Sequence, residues 1–541
     1  MESAGQYDYI IVGAGTAGCV LANRLTRDKD ATVLLIEAGG KDNYLWIHIP
    51  VGYLHCIGNP RTDWLYRTEP DAGLGGRSLN YPRGKVLGGS SSINGMIYMR
   101  GQSRDYDHWA ELTGDASWRW DQVLPLFKKS EDYYGGGTPE HGVGGEWRVE
   151  KQRLSWRILD AFRDAAEQVG ISKTDDFNRG DNAGCGYFDV NQRRGIRWNT
   201  AKAFLRPAAA RPNLTIMTGC HVERLMIEQG EQGPLCRGVI FTDGAARWSV
   251  SARRETLLTA GALGSPHLLQ LSGVGSAALL RQHGIAPLVD AGAVGDNLQD
   301  HLQLRMVFKV QGAKTLNTMA SNFLGKVKIG LQYAMFQSGP MSMAPSQLGA
   351  FVKSDAAQAT PNLQYHVQPL SLDKFGDPLH TFPAFTASVC NLRPSARGHV
   401  RLASNDPYAA PKITPNYLST EQDRKTAAAA LTLTRQIVAA PALRPYKPEE
   451  FKPGVGYRSE DELAVAASLI GTTIFHPVGT CKMGRRGDAT AVVDSTLRVI
   501  GVARLRVVDA SVMPTITSGN TNSPTMMIAE KAAIMIQLAW R

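Results

Sequence analysis

The sequence contains no C-x-x-C pair, no run of five basic residues and no low-complexity tract or internal repeat. It also lacks any apolar stretch of about 20 residues, the length a membrane-crossing helix needs. Each absence removes a class of protein. The cysteines, Cys19, Cys56, Cys185, Cys220, Cys236, Cys390 and Cys481, are dispersed and odd in number. That pattern argues against a disulfide framework or a zinc cluster, so no metal ligand is assigned, and a reducing compartment, the cytoplasm, fits best. The opening MESAGQYDYIIVGAG has no basic segment followed by a long apolar one, so no signal peptide is read there. Net charge is +10, yet the basic residues fall in scattered doublets such as Arg193–Arg194 and Arg485–Arg486. A mildly basic surface is expected, without a nucleic-acid partner and without a membrane span.

What is present is an ordinary globular composition, 43% hydrophobic and 20% charged over 541 residues. That length corresponds to about two to four domains. Residues 7–37 read as one β-α-β unit. YDYIIV is a short apolar strand, AGCVLANRL has helical spacing, and ATVLLIE is a second strand ending in Glu37. Between strand and helix stand Gly13, Gly15 and Gly18. A G-x-G-x-x-G is weak evidence alone, since glycine fills 55 of 541 positions. Its place between strand and helix makes it strong. Gly13 allows the tight turn, Gly15 lets a pyrophosphate approach the backbone, and Gly18 lets helix and strand pack closely. The helix N-terminus offers free N–H groups to phosphate, and Glu37 can accept from ribose hydroxyls while repelling a 2′-phosphate. NAD and FAD both remain open at this point.

Further along, residues 80–101 form a Gly/Ser-rich loop and residues 134–146 a flexible one. Residues 213–260 alternate apolar runs and turns as a sheet does. Residues 306–465 differ in texture, with strand-like LQYHVQ and FTASVC and a helical AAAALTLTRQIVAA. The last part returns to strand, loop and helix; Asn522 or Ser523 is expected to cap a helix with Pro524 at its first position.

Five ordered blocks carry a resemblance across essentially the whole chain. They are GAGTAG with Glu37, RGKVLGGSSSINGMIYMRG (83–101), TAGALGSPHLLQLSGVG (259–275), VGDNLQDH (294–301) and HPVGTCKMG, which begins at His476 and is followed by Asn520 in GNTNSPT. On these the chain is identified as resembling the glucose–methanol–choline (GMC) oxidoreductases, closest in texture to bacterial choline and alcohol dehydrogenase-like flavoproteins. The resemblance implies an α/β fold: a Rossmann-like FAD-binding domain with an inserted α+β substrate-binding domain on a mixed or antiparallel sheet. The FAD domain is expected to be discontinuous, from residues 1–155, 213–305 and 466–541. The substrate domain takes 156–212 and 306–465.

Carried over by position, Gly13, Gly15, Thr16, Ala17, Gly18, Glu37 and Ala38 would hold the ADP half of FAD. Leu87, Gly89, Ser90, Asn94, Gly95, Met96 and Ile97 would run along the pyrophosphate and flavin. Val222 would touch the adenine, Ala260, Asp509 and Ala510 the middle of the cofactor, and Asn520 and Thr521 the isoalloxazine end. Some relatives attach FAD through a histidine where this chain has Ile93, so the flavin is expected to be non-covalent.

The same resemblance makes His476 the base and Asn520 its amide partner in oxidising a primary alcohol to the aldehyde. A histidine suits that task because its pKa lies near neutrality. The helix near Pro524 is expected to face the pyrimidine edge of the flavin and favour the reduced anion. Phe475 is expected in the substrate pocket, with Met341–Pro345, Gln364–His366 and the loop near 134–145 as candidate walls and lid. His301 reads as structural, and His399 as part of a turn or strand. The substrate class favoured is an apolar, aromatic or furanic alcohol, and the electron acceptor oxygen or a quinone-like molecule. Choline is the first alternative, although it calls for an aromatic cage and a carboxylate that no motif supplies. A non-redox hydroxynitrile lyase on the same fold is the second. A photodecarboxylase or a dinucleotide-binding sensor leaves the His476/Asn520 pair unexplained.

Overall fold

The computed structural model describes residues 2–373 and 377–540; the domain bounds placed at 1 and 541 lie outside the described residues. The first sheet begins with the strands read from sequence. Glu2–Val12 lies between Val33–Glu37 and Arg247–Leu258, Leu214–Thr218 follows Val33–Glu37, and these four run parallel. Leu505–Val507 adds in parallel to the end of Arg247–Leu258, while Gly233–Thr242 and His221–Gly230 extend the sheet antiparallel. The order reverses beside Glu2–Val12, so its C-terminal end opens at a crevice, where ligands of parallel α/β sheets bind.

Ile10, Ile11, Val33, Leu34 and Leu35 are fully buried, as continuous apolar runs in parallel strands must be. Helices Thr16–Leu25 and Asn522–Ala539 pack against each other beside this sheet. The buried Arg24 guanidinium bonds Glu530 at 2.6 Å between them.

The second sheet is antiparallel throughout. Its order is Glu449–Lys452, Leu302–Lys309, Ala384–Asn391, Leu363–Gln368, Leu348–Val352 and Gly184–Tyr187, with Gly471–Thr473 also paired to Leu302–Lys309. Strand LQYHVQ shows how period two sorts the faces. Leu363, Tyr365 and Val367 join a hydrophobic core with Leu431 and Ile437 of helix Glu421–Ala439 and Phe162 of helix Arg157–Gln168. Gln364, His366 and Gln368 therefore face the other way, and His366 and Gln368 line a cavity between the sheets. Gln303 does the same from the neighbouring part of the sheet. The second sheet thus presents a buried polar face toward the first.

The last helix starts differently from the sequence expectation. It spans Asn522–Ala539, its preceding residue is Thr521, and no side chain caps it. The Asn522 side chain is turned away and accepts the Thr16 hydroxyl at 2.6 Å. Pro524 therefore sits in the third helical position.

Candidate active site

One elongated cavity runs from the crevice of the first sheet to the polar face of the second. Its walls include Gly13, Gly15, Thr16, Ala17, Glu37, Ala38, Gly89, Ser90, Asn94, Gly95, Met96, Ile97, Val222, Ala260, Asp509, Ala510, Asn520 and Thr521, together with Phe475 and His476. Residues far apart in sequence are thus gathered on one surface. Gly18 and Leu87 stand behind it. A Cβ on Gly18 would lie 2.0 Å from the Gly13 carbonyl oxygen, so this glycine sets the approach of helix to loop. Leu87 packs into the core, and its carbonyl accepts the Ser92 hydroxyl. The loop at 134–146 does not border the cavity. It packs elsewhere, where His141 lies between Glu131 and Asp176. Among the expected substrate walls, Pro345 and His366 do border it.

The nucleotide end is built for an anionic dinucleotide. Helix Thr16–Leu25 opens at Gly15 with no side-chain cap, as helix Asn522–Ala539 opens at Thr521. Two helix N-termini joined by the Thr16–Asn522 bond thus leave N–H groups and positive dipole ends for phosphate. The Glu37 carboxylate accepts from Ala14 N at 2.8 Å and Gly39 N at 2.9 Å. Burial pushes its pKa up to about 7. Gly89, at φ +52°, would place a Cβ 2.7 Å from the Gly15 Cα, so the two glycine loops meet where only glycine fits. His267 Nε2 and Asn522 Nδ2 are buried without a protein partner among the described residues, on residues that line the cavity. These are the donors and cradle that FAD requires. The far wall is aromatic: Trp64 and Tyr66 stack at 5.7 Å, and His221 lies between Trp64 and Tyr408. Sequence reasoning missed this group; the clustered aromatics in DWLYR were its only signal.

At the other end His476 is 7% exposed. Its Nε2 lies 3.1 Å from Asn520 Nδ2, and its Nδ1 lies 3.1 Å from His301 Nδ1. His301 Nε2 in turn lies 3.2 Å from the Leu392 carbonyl oxygen. The ends of this chain have single roles, since an amide NH₂ only donates and a carbonyl only accepts. His301 must therefore carry its proton on Nε2 and accept on Nδ1. His476 must carry its proton on Nδ1. Its Nε2 lone pair accepts from Asn520 Nδ2, on the cavity wall. Burial, together with His301, His366 and Arg83, holds the His476 pKa well below the usual histidine value. His301 is lowered to about 4 by burial. Both rings are neutral near pH 7, as an acceptor of protons must be.

Asp300 anchors this arrangement. Its Oδ1 accepts the backbone N–H of His301 at 2.9 Å and of His476 at 2.8 Å. Its Oδ2 accepts the hydroxyls of Tyr81, Tyr417 and Thr473 at 2.8, 2.5 and 2.6 Å. Phe475, between Thr473 and His476, adopts φ +70°, a conformation costly for an aromatic residue. It is held there by its N–H to Thr473 Oγ1 at 2.7 Å and by Arg83, which donates to its carbonyl at 2.6 Å. Asp300 and His301 were visible in VGDNLQDH, but nothing in that block announced contact with a residue so distant in sequence.

Asn94 is oriented by a similar logic. Its Oδ1 accepts from the fully buried Arg197 at 2.9 Å and from Met96 N at 3.0 Å. Its amide nitrogen is thereby turned away from that acceptor pair. Ile93, buried on the cavity wall, has no atom able to bond a flavin covalently.

A dinucleotide crevice continuous with a buried histidine–amide pair fits a flavin-dependent oxidoreductase. Comparison with known proteins agrees. Two family models, both described as GMC oxidoreductase, match residues 7–303 and 394–529. The chain belongs to the GMC oxidoreductase family, and FAD is its cofactor. It is 40% identical to an alcohol dehydrogenase [acceptor] of Pseudomonas putida, over 98% of this chain and 95% of that one. It is equally 40% identical to an oxygen-dependent choline dehydrogenase of Photobacterium profundum, over 97% and 92%. Among solved structures, pyridoxine 4-oxidase from Mesorbium loti superposes with a TM-score of 0.88 at 33% identity, over 98% of each chain. No described helix is long and apolar enough to cross a membrane.

Proposed function

We propose that this chain oxidises a primary alcohol to its aldehyde, with His476 as the base and Asn520 holding the oxygen. The observation that carries this is the unprotonated Nε2 of His476, fixed as an acceptor by the Asn520–His476–His301–Leu392 chain. FAD, when bound, supplies the acceptor for the hydride that leaves the carbinol carbon. A hydroxyl that takes the place of the Asn520 donor at Nε2 loses its proton to a neutral imidazole. Asn520 Nδ2 donates to the oxygen as negative charge develops, without titrating itself. The arched Phe475 backbone aims the ring at the cavity while Asp300 fixes the next residue.

The relatives' names, which cover alcohols, choline and pyridoxine, support an alcohol donor. The carboxylates among the described lining residues are Glu37 and Asp509, both engaged by backbone N–H groups at the nucleotide end. A cation such as choline therefore meets no carboxylate on the described cavity wall beside His476, which favours a neutral alcohol. His366 has both ring nitrogens buried and unpaired, and Gln368 Oε1 likewise. These polar atoms suit an aromatic or furanic alcohol with a ring heteroatom better than a plain alkyl one. The FAD contacts we assign are the predicted positions on the cavity wall, with Gly18 acting through packing. We place the domain division so that Leu302–Lys309 and Gly471–Thr473 go with the second sheet.

The test is anaerobic stopped flow with a panel of benzylic, furanic, aliphatic and choline substrates. Alcohol oxidation bleaches the flavin, whereas a hydroxynitrile lyase leaves it oxidised. His476→Ala is expected to retain FAD and reduce it about 10²–10⁴-fold more slowly. Near-normal reduction in that variant would sink the assignment of the base. Repeating the panel aerobically and with a quinone-like dye identifies the acceptor.

A further inference from the structure

Helix Phe323–Phe336 is amphipathic in the wrong sense for a protein surface. Phe323, Leu324, Val327, Leu331 and Met335 fall within one stripe at helical spacing. Their exposure runs from 40% at Val327 to 78% at Phe323. No residue of the helix is buried. The opposite side is the one that holds the helix to the molecule: Ile329 packs against the second core, and the Tyr333 hydroxyl donates to the Gly195 carbonyl at 3.0 Å. The apolar stripe thus faces outward.

Its surroundings are mainly basic. Lys326 and Lys328 flank the stripe on either side, and the helix has no acidic residue. Arg153 donates to the carbonyl of Gln337 at the helix end. Arg193 and Arg194 precede Gly195, where Tyr333 docks. All five cations are exposed, and none is paired with a carboxylate among the described residues. The neighbouring Glu150 is engaged by Arg148 at 3.1 Å and accepts the Arg194 backbone N–H at 2.9 Å, so the charge of Arg194 left unpaired is its guanidinium.

We propose that this helix lies on an anionic lipid bilayer, its apolar stripe in the interface and its lysines and arginines on the headgroups. An outward apolar stripe bordered by cations is what a surface-lying helix requires, and it does not need to span. Lysine stems reach outward to the headgroups while their methylenes cover apolar surface. A second copy of the chain fits less well. Pairing this face with itself brings one basic rim onto another, with only Glu150, already held by Arg148 and the Arg194 backbone, to offset it.

Vesicle sedimentation tests the proposal with the FAD-loaded enzyme. Wild-type protein is expected to pellet with vesicles of phosphatidylcholine and phosphatidylglycerol, less with phosphatidylcholine alone, and less again as salt rises. Leu324→Glu/Leu331→Glu is expected to lower the partition by at least about tenfold, with FAD content and alcohol turnover unchanged. Lys326→Gln/Lys328→Gln, which leaves the apolar stripe intact, is expected to lose the preference for phosphatidylglycerol. Wild-type protein that stays in the supernatant with anionic vesicles at low salt overturns the proposal. So does a wild-type dimer in size-exclusion that Leu324→Glu/Leu331→Glu converts to monomer, because the stripe would then be a contact between copies.

Discussion

His301 and His476 meet nitrogen to nitrogen, Nδ1 to Nδ1 at 3.1 Å, with their rings crossed at 83°. Two imidazoles in this contact share a single proton, so the state of one dictates the state of the other. On the proposed mechanism His301 is a positioning residue. It does not line the cavity, yet it decides which nitrogen of His476 carries the proton.

Removing that acceptor is the first prediction. His301→Ala lets the His476 ring sample both tautomers and is expected to slow flavin reduction about 10- to 100-fold. His301→Gln, whose Oε1 can accept from Nδ1, is expected to recover part of the loss. FAD content should not change in either. Equal rates in both variants at every pH would show that His301 only fills space.

Asn520 sets the second. In the wild type, burial holds the base below the ordinary value of 6.5, so the acid limb of the rate profile should lie below that pH. Asn520→Asp places a negative charge beside Nε2 and favours the imidazolium. The acid limb is expected to move upward and the maximal rate to fall, as read by stopped-flow reduction against pH.

Buried neutral histidines also make stability depend on pH. His301 falls to about 4 and His366 to about 3 in the folded protein, both by burial. The unfolded chain binds protons near 6.5, so between that value and about 4 it binds more than the folded one. Stability is therefore full above 6.5 and lost as pH falls. The loss is on the order of 3 kcal/mol per fully buried histidine by about pH 4. Chemical unfolding of the wild type between neutral and mildly acid pH checks the direction. His301→Gln should flatten the slope.

Gly18 gives a sharper structural test. An added methyl would sit 2.0 Å from the Gly13 carbonyl oxygen and 2.9 Å from Thr259 Oγ1. The first of these is backbone and cannot turn aside. Gly18→Ala is expected to displace the loop and lower FAD affinity by well over tenfold, measured by flavin fluorescence on titration.

The flavin itself should leave freely. With Ile93 in place of a nucleophile, acid-precipitated protein is expected to be colourless and the supernatant yellow. A pellet that stays yellow after washing would contradict this.

The sequence made some of this legible, for definite reasons. The unit 7–37 is local, so its strand, glycine turn and helix could be read directly, and the structure has each in place. LQYHVQ and FTASVC were recognisable as strands, but which of their faces carries the cavity depends on the helices packed behind. Asp300 and His301 were in view and undervalued, because their partners Tyr81, Tyr417 and His476 come from other parts of the chain. The loop at 134–146 looked like a lid from its glycines alone; composition says that a loop bends, not where it sits. Asn522 looked like a helix cap and instead reaches across to Thr16. The helix Phe323–Phe336 and its outward face were not read at all, since periodicity cannot tell inside from outside.

The Thr16–Asn522 bond closes a loop of 506 residues. The glycine turn leaves the ribosome 506 residues ahead of the helix residue it joins. During synthesis the early β-α-β unit can fold, since N-terminal regions emerge first. Its phosphate crevice, however, stays half built until residues 522–539 arrive. Cofactor loading is thereby tied to the synthesis of that helix, and a chain stopped short of it holds the glycine motif without a complete site.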